Sequence, residues 1–340
     1  DKELLGGSLI YDDNDISKID NQKSSEWLKK LIEKIKNDKN IIIKTRTSLA
    51  AYHNYNFLLA RQNLTDHLSV NDRNNKIRQR LYKIRAKKVI ICTGAIERPQ
   101  VFHNNDRPGI MLASAVKKYI DYYGVRCGLE NVIFTNNDSA YETALSLHKS
   151  GTKLTAIIDI RDNSSSEIVN KVKSLGIQIY WNHTVVDTKG YKRINKVTVM
   201  KLNDKGNDVI GKKIDLNCDC LAISGGWTPM VHLFTQSGGK LRFDNKDNIF
   251  VPDKTNLDQL SIGSAKGDFE LDDVLKNSIK YTKKFLNIEN SNFDKIDVKC
   301  SKEKEKKNIW LLPSDRPLSK IKPFLDRSEE HTSELQSQPD

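Results

Sequence analysis

Cysteine is scarce and unpatterned in this chain. Its 340 residues hold five cysteines, an odd number with no Cys-x-x-Cys pair. That argues against a disulfide framework, a structural zinc site and the usual thiol exchange motif. Long apolar runs are missing too: nothing approaches the roughly 18 residues a membrane helix needs. Residues 1–8 show no basic-then-apolar leader, so the expectation is a cytoplasmic protein in a reducing compartment, without a membrane partner. His103, His148, His183 and His232 are scattered, with neither metal-ligand spacing nor a nearby nucleophile motif. No catalytic residue and no metal ligand is assigned.

What is present suffices for two domains, since 37% hydrophobic and 29% charged residues over this length can bury two separate cores. The net charge of +12 invites a nucleic-acid reading. Lysine is abundant throughout, however, and even the densest basic stretch, residues 276–307 with ten Lys against five acidic groups, reads as solvated surface. No nucleic-acid partner is expected.

From Ser24, the residues Trp27, Leu28, Leu31, Ile32 and Ile35 recur at helical spacing, with Ser24 or Ser25 as the N-cap. Residues 41–43, 49–52, 57–60 and 81–85 read as short strands, and Lys88-Val-Ile-Ile-Cys-Thr-Gly ends a buried strand on glycine. Ala115, Val116, Tyr119, Ile120 and Tyr123 form a helical stripe that stops at Gly124. The period then changes: strand 132–135, helix 140–149 and strand 154–159 make one βαβ unit, followed by helix 167–174 and strand 177–180. Residues 185–202 and 210–223, β-branched at alternate positions, read as an antiparallel meander. The fold class is α/β: two doubly wound, Rossmann-like dinucleotide-binding domains with an antiparallel β meander, the first of them lacking its opening strand. The expected boundaries are 1–125 with 224–286 for the first domain and 126–223 for the second. Residues 287–326 form a linker, and 327–340 resemble the translated read-through of a sequencing adapter, outside all fold reasoning.

A dinucleotide needs backbone that can approach a pyrophosphate, hence glycine where strands turn. Candidates are Gly6 and Gly7, beside Asp1 as a ribose carboxylate; Thr93 and Gly94; and Gly263 and Ser264, which follow a short strand at 259–262. Asn136-Asn-Asp-Ser139 stands where a second dinucleotide site would carry its glycines, and it has none. That turn should hold no pyrophosphate. Asp138 or Ser139 is expected to cap the next helix, and Asp159 to hold the ribose position with nothing to bind. Cys218 and Cys220, two apart on one strand, read as buried packing.

Cys92-Thr-Gly-Ala-Ile-Glu-Arg-Pro, followed by Asn104-Asn-Asp-Arg-Pro-Gly-Ile-Met-Leu, then Val132-Ile-Phe-Thr-Asn-Asn-Asp-Ser-Ala-Tyr, Ala222-Ile-Ser-Gly-Gly-Trp-Thr-Pro and Gly263-Ser-Ala-Lys-Gly-Asp-Phe, resemble the alpha subunit of heterotetrameric sarcosine oxidase over about residues 1–326. The resemblance implies an oxidoreductase whose alpha chain has the domains of the pyridine nucleotide-disulfide oxidoreductases and holds NAD. FAD and FMN would lie in, or be shared with, a beta subunit, with gamma and delta subunits completing the complex. Sarcosine would go to glycine, with hydrogen peroxide and with formaldehyde or methylene-tetrahydrofolate as products, the folate bound by a further C-terminal domain. Asp1, Gly6, Gly7, Thr93, Gly94 and Gly263 match the family's nucleotide cleft. Ser264 replaces an acidic residue of the wider superfamily, which fits the loss of a flavin role. The chain alone should be inactive. Two alternatives stand beside this: a self-contained FAD and NAD(P)-dependent reductase, and a cofactor-stabilised scaffold with no catalytic part.

Overall fold

The computed structural model describes residues 2–12, 16–289, 296–303 and 306–323. In chain order come helix α1 (Ser24–Asn37), strands β1 (Thr47–His53), β2 (Phe57–Asn63), β3 (Gln79–Arg85) and β4 (Val89–Ile91). Next are β5 (Ile110–Leu112), α2 (Ala113–Asp121), β6 (Glu130–Thr135), α3 (Ser139–Lys149), β7 (Lys153–Asp159), α4 (Glu167–Ser174) and β8 (Ile179–Trp181). Then follow β9 (His183–Gly190), β10 (Ile194–Leu202), β11 (Val209–Asn217) and β12 (Cys220–Ser224). Last are β13 (Lys240–Asp244), β14 (Ile249–Lys254), β15 (Gln259–Ser261) and α5 (Leu271–Leu286). Among the described residues no helix is long and apolar enough to cross a membrane.

The chain divides into two units, Asp1–Ile96 with Pro229–Cys300, and Glu97–Thr228 with Ser301 onward. Residues 97–125, expected with the first domain, thus fall in the second unit, because β5 pairs in parallel with β12 and feeds α2 back over the same sheet. Residues from 301, expected as linker, also fall there, held by the contacts described below.

In the first unit β1, β2 and β3 form an antiparallel sheet, β13 pairs antiparallel with β14, and β4 pairs in parallel with β15. Residues 41–44 are irregular, not the expected strand. Ile41 and Ile42 are exposed with no sheet to bury them, so a run of branched side chains alone did not make a strand there. Asn56 ties the β1–β2 turn to the parallel pair: its amide donates to the carbonyls of Lys87 and Asp258, and its Oδ1 accepts from the buried Tyr52 hydroxyl at 2.8 Å. Burial pushes that hydroxyl up to about 12.

The second unit is built on a five-stranded parallel sheet in the order β8-β7-β6-β12-β5. Its central strands bury both faces, as parallel sheets require. Val132 and Phe134 of β6, Ile158 of β7 and Leu221 and Ile223 of β12 share a core with Val185, Val197 and Val199 of the β9-β10-β11 meander. Ile133 and Ile157 are fully buried on the opposite faces of their strands, and α3 packs on β6, β7 and β12. Each such side chain contributes about 1.5–3 kcal/mol by leaving water. The meander is shorter than expected: residues 220–224 leave it and return to the parallel sheet as β12. Cys218 lies just outside a strand and Cys220 within β12. Both are buried, and desolvation pushes both thiols up to about 12.

Candidate functional site

Two strand edges bear on nucleotide binding, one in each unit. In the first, β4 and β15 run side by side with Ile91 opposite Ser261, and the amide of Ile262 donates to the Ile91 carbonyl at 3.1 Å. Their carboxyl ends therefore deliver Thr93-Gly94 and Gly263-Ser264 to one edge. Ligands of open α/β sheets bind outside that end of the strands. The Thr93 hydroxyl donates to the Met230 carbonyl at 2.8 Å, and the Met230 amide donates to the Gly94 carbonyl at 2.9 Å. Gly94 has φ +81°, and nothing lies within 4 Å of where its Cβ would be, so the backbone there is left open to close approach. Gly263 is buried and starts a 3₁₀ turn, Gly263–Lys266, which includes Ser264 and precedes α5.

Gly6 has a different reason to be glycine. Its φ is +113°, and a Cβ there would collide with Cδ2 of Leu28 on α1. Gly7 opens the 3₁₀ turn Gly7–Tyr11. The structure thus brings Thr93, Gly94, Gly263 and Ser264 together and sets Gly6 against α1. Asp1 lies outside the described residues.

The second unit's edge is closed by polar side chains. Asn136, Asn137 and Asp138 follow β6 and are all buried. The expected cap by Asp138 or Ser139 is not formed by either. Instead Asn137 Oδ1 accepts from the Ser139 amide at 3.1 Å and from its hydroxyl at 2.6 Å. Asp138 is turned away because Arg161 claims it: Nη1 donates to Asp138 Oδ1 at 2.7 Å. The same guanidinium grips Asp159 by two prongs, Nε to Oδ1 at 3.0 Å and Nη2 to Oδ2 at 2.7 Å, while the Tyr141 hydroxyl donates to Asp159 Oδ2 at 2.8 Å. Asp159, at the ribose position, is therefore fully committed within the protein.

Electrostatics follow from burial. Desolvation pushes the Asp159 carboxyl up, with Arg161 opposing, and pushes Tyr141 well above its ordinary range. Burial pulls Arg161 down, but its carboxylate partners outweigh that and hold it above the ordinary value. Asn136 Nδ2 donates to the carbonyls of Gly225 and Lys307. At the start of α3, the Asp138 amide donates to Glu303 Oε1 at 2.8 Å, and Arg161 Nη1 stands 3.6 Å from the same oxygen. At α2, Glu97 Oε2 accepts from the Ser114 amide at 2.7 Å. Arg161, Glu97 and Glu303 were not among the sequence candidates. Only Arg161 carried a signal, as a guanidinium two residues past a strand-end aspartate.

No protein-family model matches the chain. It is 36% identical over 267 residues to sarcosine oxidase subunit alpha of Corynebacterium sp. (strain P-1), covering 78% of this chain and 27% of that protein. To the subunit of the same name from Corynebacterium sp. (strain U-96) it is 32% identical over 302 residues, covering 87% and 31%. The chain is related to part of the sarcosine oxidase alpha subunit. It spans under a third of the length of these alpha subunits. Among solved structures, L-proline dehydrogenase from P. horikoshii superposes with TM-score 0.60 at 18% identity, covering 88% of this chain and 53% of that one. T. acidophilum thioredoxin reductase does so with TM-score 0.50 at 15% identity, covering 73% and 74%. These similarities establish the Rossmann-like α/β fold.

Proposed function

We propose that the chain is the NAD-binding part of the alpha subunit of an oxidoreductase of the sarcosine oxidase type. The observation that carries the reading is the relationship to two sarcosine oxidase alpha subunits at 32–36% identity. The edge formed by β4 and β15 supports it. Open backbone at Gly94 and the buried turn at Gly263 fit a dinucleotide lying across the strand ends, with Thr93 and Ser264 supplying hydroxyls. Gly6 and Gly7, with Asp1 toward the ribose, complete the proposed cofactor set. NAD bound there supplies either a hydride acceptor or a fixed ligand that orders the unit.

In this reading the oxidation of sarcosine to glycine takes place at flavin, FAD and FMN, held in or shared with a beta subunit. Gamma and delta subunits complete a cytoplasmic complex that releases hydrogen peroxide and either formaldehyde or methylene-tetrahydrofolate. No acid, base or nucleophile of this chain is assigned to the chemistry. A self-contained reductase would need a second nucleotide at the Asn136 turn, and the residues present there do not fit one: glycine is absent, and the Asp138 amide at the entry to α3 is bonded to Glu303.

Coexpression of the complete alpha chain with its partner subunits tests the reading. The expected result is sarcosine-dependent oxygen uptake with peroxide formation, and NAD released stoichiometrically when the complex is denatured in acid. A folded complex that releases no NAD, or that leaves sarcosine untouched, ends it.

A further inference from the structure

At the start of each of the second unit's helices α2, α3 and α4 an amide is bonded to an oxygen that the chain itself supplies. The Ser114 amide of α2 donates to Glu97 at 2.7 Å; the Asp138 amide, at the entry to α3, donates to Glu303 at 2.8 Å; and the Ile168 amide of α4 donates to Ser301 Oγ at 3.3 Å. Two of the three acceptors belong to the stretch that begins at residue 301. That stretch is anchored further along: its Lys307 carbonyl accepts from Asn136, Leu311 bridges to Val101 in parallel, and Leu312 is buried in the core beside Phe102 and Phe134. Arg98 lays its guanidinium over the Trp310 ring at 4.8 Å.

Helix N-termini at the carboxyl edge of a doubly wound sheet are where such folds receive phosphate, because unpaired amides and the helix dipole favour an anion. Here the acceptor at the start of α3 is covalently part of the protein, the Glu303 carboxyl oxygen. We propose that residues 301–303 and 306–312 are a strap that closes the second unit to dinucleotides, the Glu303 carboxyl taking the phosphate position at the start of α3. The strap does by attachment what a bound nucleotide does by affinity: it satisfies the buried amide, faces Arg161, and ties two helices to one segment. The inference concerns the second unit alone and does not depend on where, or whether, the first unit holds NAD.

Photolabelling of the full-length protein with 2-azido-NAD, followed by peptide mapping, tests closure directly. No label is expected in the peptides covering 132–145 and 159–166, and label there in the unaltered protein would overturn the proposal. Label at 93–94 or 263–264, or its absence, bears only on the function proposed above. Amide exchange tests the strap itself. Exchange across 136–145 is expected to be slow in the unaltered protein and in Glu303→Gln, which keeps an acceptor oxygen. It is expected to rise about tenfold or more in Glu303→Lys, which places a cation against the helix start. Equal protection in Glu303→Lys would refute the role of Glu303. If that variant does not fold, Ser301→Ala carries the same test at α4, where faster exchange at 166–170 is expected and unchanged exchange counts against the strap.

Discussion

Arg161 is the residue on which the second unit's polar interior turns. It is buried, as are both aspartates it holds. Removing one partner of a buried ion pair strands the other without water, at a cost of about 3–5 kcal/mol. Arg161→Ala should therefore lower the unfolding free energy by that amount in urea titration, and Arg161→Lys should recover only part of it, since an ammonium cannot grip Asp159 with two prongs. A change under about 0.5 kcal/mol, the size of an ordinary surface substitution, would show the pair to be dispensable. Glu303 gives a pH signature. Burial pushes its carboxyl up to about 7, with Lys306, the Asp138 amide and Arg161 opposing and the Asp138 carboxylate assisting. The folded protein then holds the proton more tightly than the unfolded chain, whose glutamate titrates near about 4.3. The contribution of Glu303 to stability should fall as pH rises from that value to about 7 and level off above it. The melting temperature of the native protein relative to Glu303→Gln should follow that curve, and a flat difference would contradict it. In the sequence, Asp159 at a strand end and a glycine-free Asn136 turn were both legible because position and residue type pointed the same way. Glu303 was not, because a glutamate among lysines looks like any solvated charge until the fold shows the amide it faces.

At the scale of elements, the edge made by β4 and β15 carries the cofactor proposal, and Gly94 is its most exposed test. A β-branched residue at φ +81° is strained by about 1–3 kcal/mol, and its side chain would fill the open approach. Gly94→Val should sharply reduce the NAD recovered from the assembled protein while leaving the second unit's amide exchange unchanged. Retention equal to the native protein would move the cofactor elsewhere. Glu97 at the start of α2 offers a second measurement. Glu97→Ala should lower the unfolding free energy by about 0.5–2 kcal/mol, as loss of a helix cap does, and Glu97→Gln by less. The βαβ run from β6 to β8 was legible because three strands and two helices kept their periods through glycine and polar turns. Residues 41–43 read as a strand for their branched side chains, but strands need partners, and none was there. The short β5 escaped notice for the opposite reason, since three residues show no period and only β12 beside them makes them a strand.

Taken as a whole, the molecule is two units whose chain segments alternate: 1–96, 97–228, 229–300 and then 301 onward. The sequence suggested an interrupted first domain, because strand 259–262 and Gly263 follow the second βαβ region. It did not reveal that the second unit is interrupted too, since the returning segment is short and its few apolar residues, Ile309 to Leu312, sit in a lysine-rich stretch. Ending the chain at residue 300 should therefore damage the second unit, not trim a tail. Calorimetry of that truncation should show a separate, earlier transition, and limited proteolysis should cut first within 136–166. A single transition at the native temperature would mean that residues beyond 300 add nothing to it.

The alternation also sets an order on synthesis at the ribosome, where chains emerge from the N-terminus and domains tend to form as they appear. The first unit waits for 229–300 before its parallel pair can close on β15. The second completes its sheet by residue 224, yet the oxygens that cap α3 and α4 are nearly the last of the described chain to arrive. For that interval the Asp138 and Ile168 amides stand without the acceptors they have in the finished fold, and any small anion present can sit there until the protein's own oxygens replace it.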